Sequence, residues 1–177
     1  RDAVNLLFRQ LRPYLAARDG NTDFFFESFR TACENRYEKA KPAESWHKDL
    51  AVYFAGKPIS ERHKLAEQAF QYARAKMLEE YMAFVFDYDY IQNRLGYFGT
   101  GALADDCTYH TCDSTRIMAG FYRLCSAVLR VSPGQLAGRL FGHLSGIGDE
   151  YCQQLLACAA RRKREAGETW LRPKSAC

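Results

Sequence analysis

Long apolar runs are missing from these 177 residues. None approaches the roughly 18 uninterrupted apolar residues that a membrane-spanning helix needs, so no such helix is encoded. Proline is scarce at 5, and glycine is moderate at 12, which excludes collagen-like order and argues against a disordered chain. Charge of one sign is nearly cancelled by the other. The 25 basic and 21 acidic residues leave +4, too little to point to nucleic acid by itself. A secretory leader is absent from Arg1 to Gln10, which open directly on an amphipathic pattern without Met. That opening reads as a piece of a longer protein. The seven cysteines are odd in number and scattered, unlike a disulfide framework, and favour a reducing, cytoplasmic setting.

What is there is helical periodicity. Val4, Leu7, Phe8, Leu11, Tyr14 and Leu15 recur on one face and predict a first helix. Asp19, Gly20 and Asn21 predict a turn. Phe24, Phe25 and Phe26 predict a short strand over residues 23–27, with Phe24 and Phe26 on one face and Phe25 on the other. A second helix is predicted over 28–39, with Phe29 packing toward Leu7 and Leu11. A third, capped by Ser45, brings Trp46 and Leu50 onto that cluster. Ser60 is the predicted cap of a helix carrying Leu65, Ala69, Phe70 and Met77. Asp87-Tyr88-Asp89 reads as a turn into a short helix ending at Leu95. Residues 96–113, rich in glycine and polar groups, read as the longest loop. Beyond it, Ile117, Phe121, Leu124, Cys125, Val128 and Leu129 predict one helix with all six on a single face. Ser132-Pro133 predicts the start of another, and Asp149 caps the last. That last helix ends in Arg161-Arg162-Lys163-Arg164, favourable at the negative end of a helix dipole.

The chemistry-bearing motifs are few. There is no Gly-x-x-x-x-Gly-Lys-Ser/Thr loop, no dinucleotide fingerprint, no Gly-x-Ser-x-Gly elbow and no His-Glu-x-x-His pair. His47, His63 and His143 read as rim or helix-end histidines. One cluster has metal-ligand chemistry: Asp105, Asp106, Cys107, His110, Cys112 and Asp113. Cys107, His110 and Cys112 supply three zinc-type donors, but a fourth cysteine or histidine is missing and no Cys-x-x-Cys module accompanies them. A polar loop with two incidental cysteines is the simpler reading. Asp87 and Asp89 read as helix-capping groups rather than an acid/base pair.

The order of segments resembles the region between the nucleotide-binding module and the propeller of STAND-type NTPases, the bacterial NACHT or NB-ARC proteins with a C-terminal WD40 propeller. Residues 6–15 and 24–30 look like their winged-helix segment. Trp46-His47-Lys48-Asp49-Leu50-Ala51-Val52-Tyr53-Phe54 resembles the helix that closes it. Phe86-Asp87-Tyr88-Asp89-Tyr90-Ile91 is similar to the family's aspartate-aromatic-aspartate turn between helical hairpins. Ser132-Pro133-Gly134-Gln135-Leu136-Ala137-Gly138-Arg139-Leu140 resembles the stretch before the propeller, and Trp170-Leu171-Arg172-Pro173 the linker into its first blade. In the family, a histidine at the end of the winged-helix strand contacts the phosphates of ADP. Phe26 takes that place here, and phenylalanine donates no hydrogen bond.

The expected fold is mainly α. A small winged-helix-like module with a short β element, over 1–57, is followed by an array of α-helical hairpins over 58–166 and a linker or tail over 167–177. Gly56-Lys57-Pro58 and Gly146-Ile147-Gly148 are hinge candidates. The resemblance implies a non-catalytic, cytoplasmic segment of a signalling or defence protein, with no catalytic, cofactor or metal residue of its own. ATP or ADP and Mg would sit elsewhere in the parent. The implied partners are the neighbouring NTPase and WD40 domains, with homo-oligomer formation on activation. Two other classes stand beside this one: a nucleic-acid-binding winged helix, disfavoured by the balance of Arg30, Arg36 and Lys39 against Glu34 and Glu38, and a small zinc-dependent regulator built on residues 105–113.

Overall fold

The computed structural model describes residues 2–18, 21–37, 41–167 and 170. The chain is mainly α-helical, with one two-stranded antiparallel sheet among the described residues. No described helix is long and apolar enough to cross a membrane. The chain divides into two compact units, Arg1–Ser45 and Trp46–Cys177.

In the first unit, helix α1 (Asp2–Leu11) passes through a 3-10 turn (Arg12–Tyr14) into strand β1 (Leu15–Arg18). Pro13 explains that change, because it lacks an N–H and clashes with a continuing helix. Strand β2 (Asn21–Phe24) returns antiparallel, with Leu15 opposite Phe24 and Ala17 opposite Thr22. Helix α2 (Glu27–Tyr37) follows. The strand therefore ends where the three phenylalanines begin. Phe25 and Phe26 leave the sheet, meet edge to face at 4.8 Å, and stay exposed. The Phe26 carbonyl accepts the Phe29 and Arg30 amides and so starts α2. Phe29 stacks on Tyr14 at 5.3 Å and meets Phe24 edge-on at 5.1 Å. Arg30 fastens α2 to β2 through Asp23 at 2.6 Å. The predicted role of Leu7 is corrected: it is 52% exposed. Asp19 and Gly20, predicted as a turn, lie outside the described residues.

Helix α3 (Ala43–Ala55) begins before Ser45, so Ser45 lies in its first turn rather than capping it. From Trp46 on it belongs to the second unit, and the division falls at 45/46 rather than at 57. The reason lies in α4 (Arg62–Arg74). Buried Gln68 donates to the Ala51 carbonyl at 3.0 Å, and Lys64 donates to the carbonyls of Ala55 and Lys57 at 3.0 and 2.8 Å. These bonds clamp the end of α3 and the Gly56-Lys57-Pro58 connection to α4. Ser60 is not the cap of α4; Glu61 holds that position without a side-chain hydrogen bond.

The array continues through α5 (Leu78–Val85), α6 (Tyr88–Asp106), α7 (Asp113–Val131), a 3-10 turn (Pro133–Gln135), α8 (Leu136–Leu144) and α9 (Glu150–Glu165). Its core joins Leu65, Tyr81, Ile91, Leu103, Met118, Leu129, Leu140 and Leu155 in one apolar cluster. The predicted loop over 96–113 is corrected: residues up to Asp106 are helical, because Leu103 and Ala104 have a core face to fill. Asp149 caps α9 as predicted, accepting the Cys152 amide at 2.9 Å. It also receives the Ser114 hydroxyl of α7 at 2.6 Å.

The two units differ in what holds them. Among the described residues of the first unit none is fully buried, so its aromatic contacts, each about 0.5–1.5 kcal/mol beyond area burial, are a large share of its cohesion. Phe29→Ala is expected to cost this unit about 2 kcal/mol. Hydrogen exchange should then accelerate over β1, β2 and α2 while α6 and α7 keep their protection. Unchanged exchange over β2 and α2 would show that the Tyr14–Phe29–Phe24 contacts do not hold the unit.

Candidate functional site

The most developed polar arrangement lies inside the second unit, around Asp106. Asp87 opens α6 by accepting the Tyr90 amide at 2.7 Å, which fixes the first turn. Twelve residues on, Gly99 interrupts the helix at φ 77° and ψ −176°, a region reserved in practice for glycine. The interruption has a geometric purpose. Arg94 and Asp106 are twelve residues apart, which a straight helix would spread over about 18 Å. With the break at Gly99, Arg94 instead reaches Asp106 with two parallel bonds. Nε donates to Oδ2 and Nη2 to Oδ1, both at 2.9 Å.

Two tyrosines complete the enclosure. The Tyr90 hydroxyl donates to Asp106 Oδ2 at 2.5 Å, and the Tyr81 hydroxyl of α5 donates to the Asp106 carbonyl at 2.5 Å. Arg94 lies over the Phe98 ring at 4.5 Å. Asp106 is 1% exposed and Arg94 6%. Burial pushes the Asp106 carboxyl above its ordinary value, and Arg94 and Tyr90 oppose that rise. Burial likewise raises both tyrosines, which stay protonated donors. The Tyr122 hydroxyl of α7 is buried with no hydrogen-bond partner among the described residues.

The metal-type cluster predicted over 105–113 is dispersed by this arrangement. Both Asp106 oxygens are taken by Arg94 and Tyr90. Cys107 is buried at the end of α6, and burial, reinforced by Asp106 and Cys112, pushes its thiol up to about 12. Cys112 is the N-cap position of α7, where its thiol lies 3.6 Å from the Thr115 hydroxyl. The His110 carbonyl accepts that same hydroxyl, and the His110 ring meets Tyr81 edge-on at 6.0 Å. No group of three metal-ligating side chains converges among the described residues. The described cysteines are free thiols.

Two further ties hold the array. Asp89, predicted as a capping group, pairs at the surface with Arg162 of α9, so this part of the basic run is engaged within the array. Lys163 in the same run is buried. His47 is also more engaged than a rim histidine: its Nδ1 lies 2.7 Å from Gln71 Oε1 and its ring meets Phe70 edge-on. Beside the Asp87 corner an open groove of about 450 Å³ is lined by Tyr72, Glu80, Phe84 and Asp89. The Arg94–Asp106 bond carries no local sequence signal, since twelve residues lie far beyond the spacings of three and four at which side chains on one helix meet. Phe26, placed where the family has its histidine, is 49% exposed just after β2. Neither a family model, nor a curated protein, nor a solved structure matches this chain.

Arg94→Ala strands a buried carboxylate and should cost about 3–5 kcal/mol near neutrality, whereas the Arg94→Met/Asp106→Leu double variant should cost less than either half-pair. Gly99→Ala should cost about 1–3 kcal/mol through backbone strain alone, because a Cβ there meets nothing within 4 Å. Denaturant titrations measure both, and additive costs for Arg94 and Asp106 would contradict the pairing.

Asp149 supplies a pH dependence. Burial would raise its carboxyl, but bonds from Ser114, Cys152 and Tyr151 bring it below the ordinary 3.8. A depressed folded value contributes stability that is complete above 3.8 and lost as pH falls through the folded value. Asp149→Ala should therefore cost about 1 kcal/mol near neutrality, with the deficit shrinking as pH falls below 3.8 and through the folded value. A deficit that stays constant on acidification would show that the charge of Asp149 plays no part.

Proposed function

We propose that this chain is a non-catalytic regulatory and scaffolding segment of a STAND-type signalling or defence NTPase. In this reading it couples a nucleotide switch on one side to a C-terminal WD40 sensor on the other and holds the resting state. Nucleotide and Mg are bound by the neighbouring NTPase domain, and the parent is cytoplasmic and assembles on activation. The observation that carries the reading is the internal bracing of the second unit. Arg94–Asp106 locks the two halves of α6, Tyr81 ties α5 to that lock, and Asp89–Arg162 and Ser114–Asp149 tie α6 and α7 to α9. A helical body braced at several points moves as a unit, and this is what transmitting a displacement between two attached domains requires.

The reading is tested on the parent reading frame and then on the parent protein. A phosphate-binding loop upstream and propeller repeats downstream are expected. An independent start and stop around these residues would refute it. Calorimetry on the isolated chain should register no ATP or ADP binding; micromolar affinity would contradict the assignment of nucleotide to the neighbouring domain. In the parent, Arg162→Gln should leave nucleotide affinity intact and weaken the response of turnover to the sensed ligand.

A further inference from the structure

Helix α7 has a second periodicity that its burial does not explain. Its inner face is filled by Thr115, Met118, Tyr122, Cys125 and Leu129, all buried. On another face, Ile117, Leu124 and Val131 recur at every seventh residue. Ile117 is half-buried, whereas Leu124 and Val131 are each 76% exposed, the most exposed large apolar side chains described. Between them stand Gly120 and Ala127, again seven apart. A Cβ added at Gly120 would meet nothing within 4 Å, so the helix surface there is an open notch. Immediately before each apolar residue is an arginine: Arg116, Arg123 and Arg130. The result is a heptad seam with large residues at one core position, small residues at the other, and arginine alone on one flank.

We propose that this face of α7 docks an amphipathic helix of a partner protein whose apolar seam is flanked by glutamate or aspartate. Large side chains of the partner enter the notches at Gly120 and Ala127, and its carboxylates meet the three arginines. From Ser114 to Val131 the helix has three arginines and no acidic residue. Among the described residues Arg116 pairs with exposed Asp113 at its own helix end, an ion pair worth little in water. The seam also runs beside a groove of about 600 Å³ whose lining includes Gly96 and Gly99 of α6 and Ala127 and Arg130 of α7, which leaves room at the flank. Nucleic acid would use the arginines but leave Leu124 and Val131 in water, so a helix fits the face better. This inference stands on α7 alone and does not depend on the function proposed above.

The test uses the whole chain and two synthetic helical peptides of about three heptads, with leucine at both core positions. One has glutamate at both flanking positions and the other lysine. Fluorescence anisotropy should show saturable binding of the glutamate peptide, and binding of the lysine peptide at least about tenfold weaker. Arg123→Glu should reverse that preference. Gly120→Leu, which fills the notch, should abolish binding while far-UV melting shows the fold intact or strengthened, since glycine is a poor helix residue. Arg161→Glu on α9 should change nothing. Equal affinity for both peptides, or binding undisturbed by Gly120→Leu, would overturn the proposal. So would duplex DNA displacing the glutamate peptide, or failure of both peptides together with a self-dimer that Leu124→Asp abolishes.

Discussion

A carboxylate removed from water is among the most expensive groups a protein can bury, and Asp106 is 1% exposed. Its cost is met only if donors surround it in fixed positions. Arg94, on the same helix and twelve residues back, gives it two parallel bonds. No straight helix brings those residues together, so the break at Gly99 and the Arg94–Asp106 bond require each other. The bond dictates the angle between the halves of α6, and a residue tolerating φ 77° permits it. Packing around α6 inherits that angle. Tyr81 reaches the Asp106 carbonyl only because α5 lies against the second half, and Tyr90 reaches the side chain only because the first half folds back.

This dependence also explains why the fold was only partly legible. The mainly α character, the cap at Asp149 and the turn at Asp87 were readable, since each rests on contacts within a few residues. The helix from Gly96 to Asp106 was not. Three glycines and a polar run look like a loop to any local reading, and only the core position of Leu103, with the distant Arg94, makes the segment helical. Asp106 was visible solely as one of several polar residues near Cys107 and His110. Its apolar neighbours Leu103 and Ala104 were a signal that the position turns inward, but nothing local named its partner.

The first unit shows the opposite balance. Its hairpin and α2 are set by local features: Pro13 ending one helix, and the Phe26 carbonyl starting another. Three adjacent phenylalanines suggested one strand with alternating faces, but pairing with Leu15 ends the strand at Phe24. The assignment of Trp46 and Leu50 to that module failed for a further reason. Sequence proximity favours α2, whereas the Gln68 and Lys64 bonds attach their helix to α4. Buried side-chain donors aimed at backbone carbonyls decide such questions, because leaving either group unmet costs more than the contact contributes.

The two periodicities of α7 belong together physically. An α-helix closes two turns in slightly more than seven residues, so a strict seven-residue stripe drifts by about 20° per repeat. Over the two repeats from Ile117 to Val131 that drift is too small to carry the stripe onto the face occupied by Met118 and Leu129. The helix can therefore be core on one side and a straight seam on another without conflict. The inner face is irregular in size and fixed by its neighbours, as a packed core requires. The outer one alternates large and small with a cation at each repeat. Solvation alone asks for neither the apolar residues nor their register with the arginines. A regular seam on a rigid, internally satisfied body presents its side chains in fixed positions, which lowers the ordering cost of docking another helix.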